Sequence, residues 1–222
     1  MSNEFEDKVT QNLMLPGEHD NLNNLMPAHC AFQKRMAHKY FPKDAFFVNI
    51  GCKEDPAGLG EWKHCTNMDV QSYDHATKQD LTKVVKNFVQ GDYLNEPHGG
   101  DWHDGVVLGE VLEHCTLEIG EKFLKKMNHE TKMGGKLILT LPQDHREKYE
   151  QYAREEEYLE YAPGITSWHQ TVWTKELLDQ YLEDAGWNII EYQTAWWFKS
   201  RGIFWHLIVA EKVPQGTEGS PE

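Results

Sequence analysis

The sequence predicts an α/β fold, doubly wound, with a mostly parallel seven-stranded sheet, an antiparallel C-terminal hairpin and helices on both faces. Seven short runs of apolar or β-branched residues predict the strands, at residues 46–50, 66–70, 87–90, 106–108, 136–141, 187–194 and 204–211. Helical patterns separate most of the first six runs, and this alternation is typical of a parallel sheet with right-handed crossovers. The last two runs follow each other across a turn at residues 199–202, which predicts the hairpin.

Three segments have the periodicity of amphipathic helices. Residues 25–41 carry apolar side chains at mostly four-residue spacing, which predicts a helix ahead of the first strand. An apolar stripe over residues 119–127 predicts a second helix, ended by the glycine pair 134–135. Thr174 is positioned to cap a third helix, which Gly186 ends before the sixth strand.

We expect a single domain over residues 25–212, since no repeat or shift of composition marks a boundary within it. Residues 1–24 are polar and predicted to be a loose N-terminal segment, and residues 213–222 form a flexible tail rich in Pro, Gly and Glu. Residues 143–173 separate the fifth strand from the next helix, where a few residues would suffice. This long insertion predicts a lid.

Charge and cysteine usage limit the partners and the compartment. The formal net charge of -14 repels anionic polymers at long range, so nucleic acid is a disfavoured partner. The four cysteines are widely separated and follow no secretory signal sequence, which favours a cytoplasmic location. No apolar run approaches the ~20 residues needed to span a bilayer, so we expect no membrane association. The tryptophans of the terminal hairpin are candidates for core packing or for a homodimer contact.

The 12 histidines of the chain raise the question of a metal. Their spacing does not predict one, because no His-x-x-x-His or Glu-x-x-His cluster has matching ligands nearby in the sequence. We therefore expect no metal site.

Polar residues follow the fourth strand immediately. Residues 106–108 form the continuous apolar run of a strand buried on both faces, and Glu110 to His114 come at its carboxyl end. Open α/β sheets bind their ligands at that edge, so we expect Glu110 to contact a ligand. His114 is predicted either to orient another group or to act as a general base, because histidine titrates near neutral pH.

A carboxylate ends the second predicted strand. Asp69 lies 18 residues after Gly51, the glycine that ends the first strand. The offset is close to the ~20 residues at which an acid binds ribose hydroxyls in dinucleotide folds. The sequence therefore predicts a nucleoside site that includes both residues.

In four places the chain resembles the class I S-adenosylmethionine-dependent methyltransferases. Residues 48–52 resemble the first motif of that family, where backbone amides meet the amino acid moiety of the cofactor. Asp69 resembles the acid that binds its ribose, and residues 89–92 resemble the loop whose aspartate receives the adenine amino group. Residues 104–114 resemble the pattern Asp-x-x-x-x-x-Glu-x-Leu-Glu-His. These matches occur in the order of the family, one βα interval apart.

The resemblance implies that S-adenosylmethionine is the cofactor and that eight residues bind it: Asn49, Gly51, Asp69, Val70, Gly91, Asp92, Glu110 and Val111. Three histidines are candidates for catalytic roles near the acceptor: His114, His145 and His169. The activity it implies is methyl transfer to an oxygen or nitrogen of a small-molecule acceptor, by in-line displacement.

The glycine loop departs from the pattern Gly-x-Gly-x-x-Gly, because Gly51, Gly58 and Gly60 stand in another register. Only about two turns of helix fit between Pro56 and the second strand, so the helix that follows the first strand must be short. Glu54 and Asp55 stand where a pyrophosphate would bind, which disfavours a nicotinamide-dependent enzyme. The sequence leaves two further functions open: a methyltransferase acting on a nucleotide, RNA or protein, and a catalytically inactive S-adenosylmethionine-binding partner subunit.

Overall fold

A computed structural model describes residues 28–74, 78–96, 100–143, 158–159, 162–166, 169, 171–198 and 203–214. The helices are α1 (Ala28–Tyr40), α2 (Leu81–Val84), α3 (Leu117–Glu130) and α4 (Lys175–Asp184). The strands of the main sheet are β1 (Phe46–Ile50), β2 (His64–Asp69), β5 (Phe88–Gln90), β6 (His103–Gly109), β7 (Thr131–Gln143), β10 (Trp187–Phe198) and β11 (Ile203–Lys212). Two short strand pairs lie outside that sheet: β3 (Tyr73–Asp74) with β4 (Gln79–Asp80), and β8 (Tyr158–Leu159) with β9 (Ala162–Thr166).

The seven strands of the main sheet lie in the order β10-β11-β7-β6-β1-β2-β5. The five strands from β7 to β5 run parallel to one another. β11 is antiparallel to β7 and to β10, so β10 and β11 form an antiparallel pair at the sheet edge. The predicted fold class is therefore confirmed.

The connectivity creates a switch point beside β1. From β1 the chain proceeds to β2 and β5 on one side, and it then returns to form β6 and β7 on the other side. Loops from β1 and β6 consequently leave the sheet in opposite directions and open a crevice at its carboxyl edge.

Hydrophobic cores cover both faces of the sheet. Side chains alternate along β6, so Val106 and Leu108 pack with the α3 and α4 side while Val107 packs with the α1 side. All three side chains are fully buried. Removing such a side chain from water stabilises a fold by about 1.5–3 kcal/mol, so this central strand is held firmly on both faces.

Side-chain caps begin the two long helices of the α3 and α4 side. The hydroxyl of Thr174 accepts a hydrogen bond from the Leu177 amide at 3.2 Å, as predicted, and Thr116 caps α3 in the same way. The predicted end of α3 was wrong, because this helix stops at Glu130 rather than at residues 134–135. The amides of residues 101 and 102 donate to the carbonyls of His129 and Glu130 at the end of α3, and β7 begins at the next residue.

Several expectations of domain organisation lie partly outside the described residues. Within 143–173 the structure describes β8, β9, residue 169 and residues 171–173, and the lid role stays a prediction. Residues 1–24 lie outside the description, as do 215–222 of the predicted tail. Among the described residues, no helix is long and apolar enough to cross a membrane. All four cysteines are buried as free thiols.

Candidate active site

A cleft of about 230 Å³ opens at the carboxyl edge of the sheet, at the switch point beside β1. Seven residues singled out in the sequence line it: Gly51, Asp69, Val70, Gly91, Glu110, Val111 and His114. The lining also includes residues that were not among the predicted binding residues: Ile50, Lys53, Met68, Gln71, Tyr93 and Phe123. The cleft thus combines apolar walls with two carboxylates, one lysine and one histidine.

Gly51 brings the turn after β1 into contact with the segment after β6. Its φ is +69°, and a Cβ added there would lie 2.4 Å from the Cγ2 atom of Val111. The Gly51 amide donates to the Met68 carbonyl at 2.9 Å, which fixes the turn on the end of β2. Only glycine combines this backbone conformation with so close a neighbour.

Asp69 presents its carboxylate at the end of β2. One oxygen accepts from the Lys53 amide and the other from the Gln71 amide, each at 3.0 Å. Burial raises the pKa of this carboxyl, and the two amide hydrogen bonds oppose that shift. Each carboxylate oxygen has further lone pairs, so Asp69 can accept additional hydrogen bonds from a ligand in the cleft.

Glu110 stands at the end of β6 in a strained conformation, with φ at +56°. A non-glycine residue held in this region costs about 1–3 kcal/mol, and such residues cluster at functional sites. Its Oε2 atom accepts from the indole nitrogen of Trp205 at 2.9 Å. Burial raises the pKa of Glu110 to about 7, with hydrogen bonds from Trp205 and Thr140 acting in the opposite direction.

A second glutamate lies behind the cleft, in the 3-10 turn Leu112–His114. Glu113 is 1% exposed, and its pKa is raised well above the usual range by burial and by the negative charge of Glu110. Its Oε1 atom lies 3.8 Å from Nε2 of His114, whose ring is in edge contact with the His169 ring at 5.0 Å. Donor atoms of these three residues all lie within 4.8 Å of one another.

The cluster of Glu113, His114 and His169 is one that the sequence analysis missed. Metal ligands on one helix recur at short spacing, whereas His169 is distant in the chain from Glu113 and His114 and comes from the segment ahead of α4. The only available signal was the pair Glu113-His114 at the predicted ligand edge, and by itself it does not identify a third partner.

Two predicted binding residues, Asn49 and Asp92, are not among the residues that line the cleft. The Asn49 amide donates to Asn67 at 2.8 Å, and the residue lines a neighbouring cavity of about 80 Å³ beside α1, which shares Gly51, Lys53 and Glu110 with the cleft. The carboxylate of Asp92 accepts from the Leu94 amide and from the Asn95 side chain, which makes it a turn residue. His145 lies outside the described residues. Their roles in ligand binding stay predictions.

Comparison with known proteins places the fold. No protein-family model matches this chain, and no curated protein matches it in sequence. The N-methyltransferase NodS from Bradyrhizobium japonicum WM9, solved with S-adenosyl-L-homocysteine, is similar in structure, with a TM-score of 0.59, 14% identity and coverage of 95% of this chain and 98% of that one. The 1,6-didemethyltoxoflavin-N1-methyltransferase from Burkholderia thailandensis, bound to 1,6-didemethyltoxoflavin and S-adenosylhomocysteine, is also similar in structure. Its TM-score is 0.58 and its identity is 15%, over 96% of this chain and 91% of that one.

A third neighbour has another activity. The [4+2]-cyclase SpnF matches with a TM-score of 0.56 and 14% identity, over 82% of this chain and 81% of that one. Many neighbours are nevertheless S-adenosylmethionine-dependent methyltransferases. The chain therefore has the class I methyltransferase fold, and its activity has to be argued from the site itself.

Proposed function

We propose that this protein is an S-adenosylmethionine-dependent methyltransferase that acts on an oxygen or nitrogen of a small-molecule acceptor. The observation that carries the proposal is the position of the Asp69 carboxylate. It stands in the cleft at the switch point, next to the Gly51 turn and opposite the strained Glu110. A carboxylate there is suited to accept both hydroxyls of a ribose.

The rest of the cleft suits the other parts of this cofactor. Val70, Met68 and Phe123 offer apolar surface for an adenine ring, while Gly51 allows close backbone approach to the amino acid moiety. Among the described residues that line the cleft, Asp69 and Glu110 provide two carboxylates and Lys53 provides one lysine. That balance favours a ligand with cationic sulfonium and ammonium groups over the pyrophosphate of a nicotinamide cofactor.

When bound, the cofactor would supply a methyl group activated by its sulfonium: an oxygen or nitrogen lone pair of the acceptor would form the new bond to the methyl carbon, and the electron pair of the broken carbon–sulfur bond would leave with sulfur. The residues of this chain have to hold the acceptor in line with that methyl group and exclude water. His114 lines the cleft and contacts His169, so we assign these two histidines to the acceptor side. The third candidate, His145, stays a prediction for the same role.

The experiment is calorimetric titration of the purified protein with S-adenosylmethionine, S-adenosylhomocysteine and NAD. We expect the first two to bind with micromolar affinity and NAD not to bind. Asp69→Asn should weaken the affinity for S-adenosylhomocysteine by at least about tenfold, because hydrogen bonds to a charged group contribute about 1.5–3 kcal/mol each. Asp184→Asn is the matched control, since Asp184 is exposed at the end of α4. Equal affinities for the two variants would contradict the ribose assignment.

A catalytically inactive binding protein is the second candidate, and the loop after β1 favours it. Only turns and the 3-10 helix Leu59–Glu61 follow the strand, and the Asp55 carboxylate accepts from the amides of Leu59 and Gly60 at 2.8 and 2.6 Å. Those amides are therefore engaged within the loop. Tight S-adenosylhomocysteine binding, without methyl transfer to any compound in a broad acceptor screen, would favour this candidate.

The expected setting of the activity also belongs to this proposal. Four buried free thiols are compatible with a reducing compartment such as the cytoplasm. The net charge of -14 supports a small molecule over nucleic acid as the acceptor. A homodimer stays a prediction, to be tested by light scattering.

A further inference from the structure

Glu113 is a buried carboxylate without a hydrogen-bonded countercharge among the described residues. Its side chain is 2% exposed, and neither oxygen accepts a hydrogen bond within the part of the chain that the structure describes. A buried carboxylate in this condition is costly unless it binds a cation or holds a proton. Glu110 adds a second negative charge nearby, which strengthens the demand for a cation.

Two imidazoles face this carboxylate. Nε2 of His114 is 3.8 Å from the Glu113 carboxylate, too far for a hydrogen bond. The donor atoms of Glu113, His114 and His169 lie within 4.8 Å of one another. Ligands at about 2.0–2.2 Å from a shared ion are about 3–3.5 Å apart in tetrahedral or octahedral geometry, so small side-chain rotations would bring all three onto one ion.

Hydrogen bonds join the 3-10 turn that carries Glu113 and His114 to the segment ahead of α4 that carries His169. The Thr171 amide donates to the Glu113 carbonyl at 3.2 Å, and its hydroxyl donates to the Cys115 carbonyl at 2.6 Å. The indole of Trp173 donates to the Leu112 carbonyl at 3.0 Å and is fully buried. The 3-10 turn and the segment ahead of α4 are thus held in one arrangement, as a preorganised ligand set requires.

Gly120 lets α3 approach the Trp173 indole closely. A Cβ at Gly120 would lie 2.6 Å from the Trp173 ring, so a larger residue in α3 would push the indole away. The close approach of α3 thus supports the segment that carries His169.

We propose that Glu113, His114 and His169 bind one divalent first-row transition metal ion, such as Mn²⁺ or Zn²⁺. Two imidazoles with one carboxylate suit these ions, whereas Ca²⁺ and Mg²⁺ prefer all-oxygen sets. His114 also lines the cleft, so the ion lies at its acceptor end. Three protein ligands leave coordination positions open to an acceptor. The inference that the acceptor presents an oxygen to the ion rests on the proposed methyltransferase function, whereas metal binding itself does not.

Metal binding is tested on the full chain after treatment with EDTA and desalting. Calorimetric titration with ZnCl₂ and, separately, MnCl₂ should give one ion per chain with micromolar affinity or tighter for at least one of the two. Glu113→Gln and His169→Gln should each weaken that affinity by at least about 100-fold, since loss of even an outer partner of a ligand costs about 10–100-fold. Circular dichroism checks that both variants fold.

His38→Gln is the matched control, because His38 is a surface histidine that pairs with Glu61 away from the cleft. It should bind the ion as the wild type does. The proposal is overturned if neither ion binds with one-to-one stoichiometry, or if the Glu113 and His169 variants bind as tightly as the control. Titration of the metal-free protein with S-adenosylhomocysteine is the separate test of the proposed function, so either can fail without the other.

Discussion

The contact between Gly51 and Val111 leads to a quantitative prediction for Gly51→Ala. The substitution imposes two costs: a side chain at φ +69° and a Cβ placed 2.4 Å from the Val111 side chain. The left-handed conformation costs about 1–2 kcal/mol, and overpacking typically costs about 1–3 kcal/mol more. We therefore expect Gly51→Ala to lower the free energy of unfolding by about 2–5 kcal/mol, measured by urea denaturation.

Gly58 provides a control that separates the two costs. Its φ is +68°, but an added Cβ would meet only the Lys34 ammonium, at 3.8 Å. Gly58→Ala should therefore show the conformational cost alone, about 1–2 kcal/mol. Adding Val111→Ala to Gly51→Ala should recover part of the loss, because the clash is removed. The reasoning is refuted if the two alanine variants are equally stable, or if Val111→Ala brings no recovery in the double variant.

Three further predictions concern the core, pH and capping. Val107→Ala should lower the free energy of unfolding by about 2–3 kcal/mol while S-adenosylhomocysteine affinity is unchanged, since this side chain packs on the α1 side of the sheet. Because burial raises the pKa of Glu110 to about 7, the contribution of this residue to stability is fully present below about pH 4.5 and is lost as the pH rises through about 7. In metal-free protein, Glu110→Gln should reduce that loss by up to about 3 kcal/mol; an unchanged pH profile would exclude Glu110 as its source. Thr174→Ala should cost about 1 kcal/mol in urea denaturation and Thr174→Ser much less, and equal losses would exclude the cap.

The sequence predicted the main sheet because its buried strands are continuous apolar runs. Residues 106–108 are the clearest case, since a strand covered on both faces has no polar alternation to obscure it. The β3–β4 hairpin was not predicted, because strands of two residues leave no periodicity. The end of α3 was misplaced because backbone hydrogen bonds from residues 101–102, distant in sequence, decide where that helix stops.

The candidate site was predictable where chain order determines position. Gly51, Asp69 and Glu110 follow three parallel strands at the same sheet edge, so their approach follows from topology. The contact between Trp205 and Glu110 joins residues 95 apart in sequence, across β11 and β6. His169 likewise reaches Glu113 only after the segment ahead of α4 packs on the 3-10 turn. Such contacts depend on tertiary packing and leave no local pattern.

The position of bound S-adenosylhomocysteine in a crystal of this protein tests the central claim most directly. The account predicts the nucleoside in the cleft of about 230 Å³, with both ribose hydroxyls within hydrogen-bond distance of the Asp69 carboxylate. Its amino acid moiety should lie beside Gly51. A ligand whose ribose does not contact Asp69 would contradict the account.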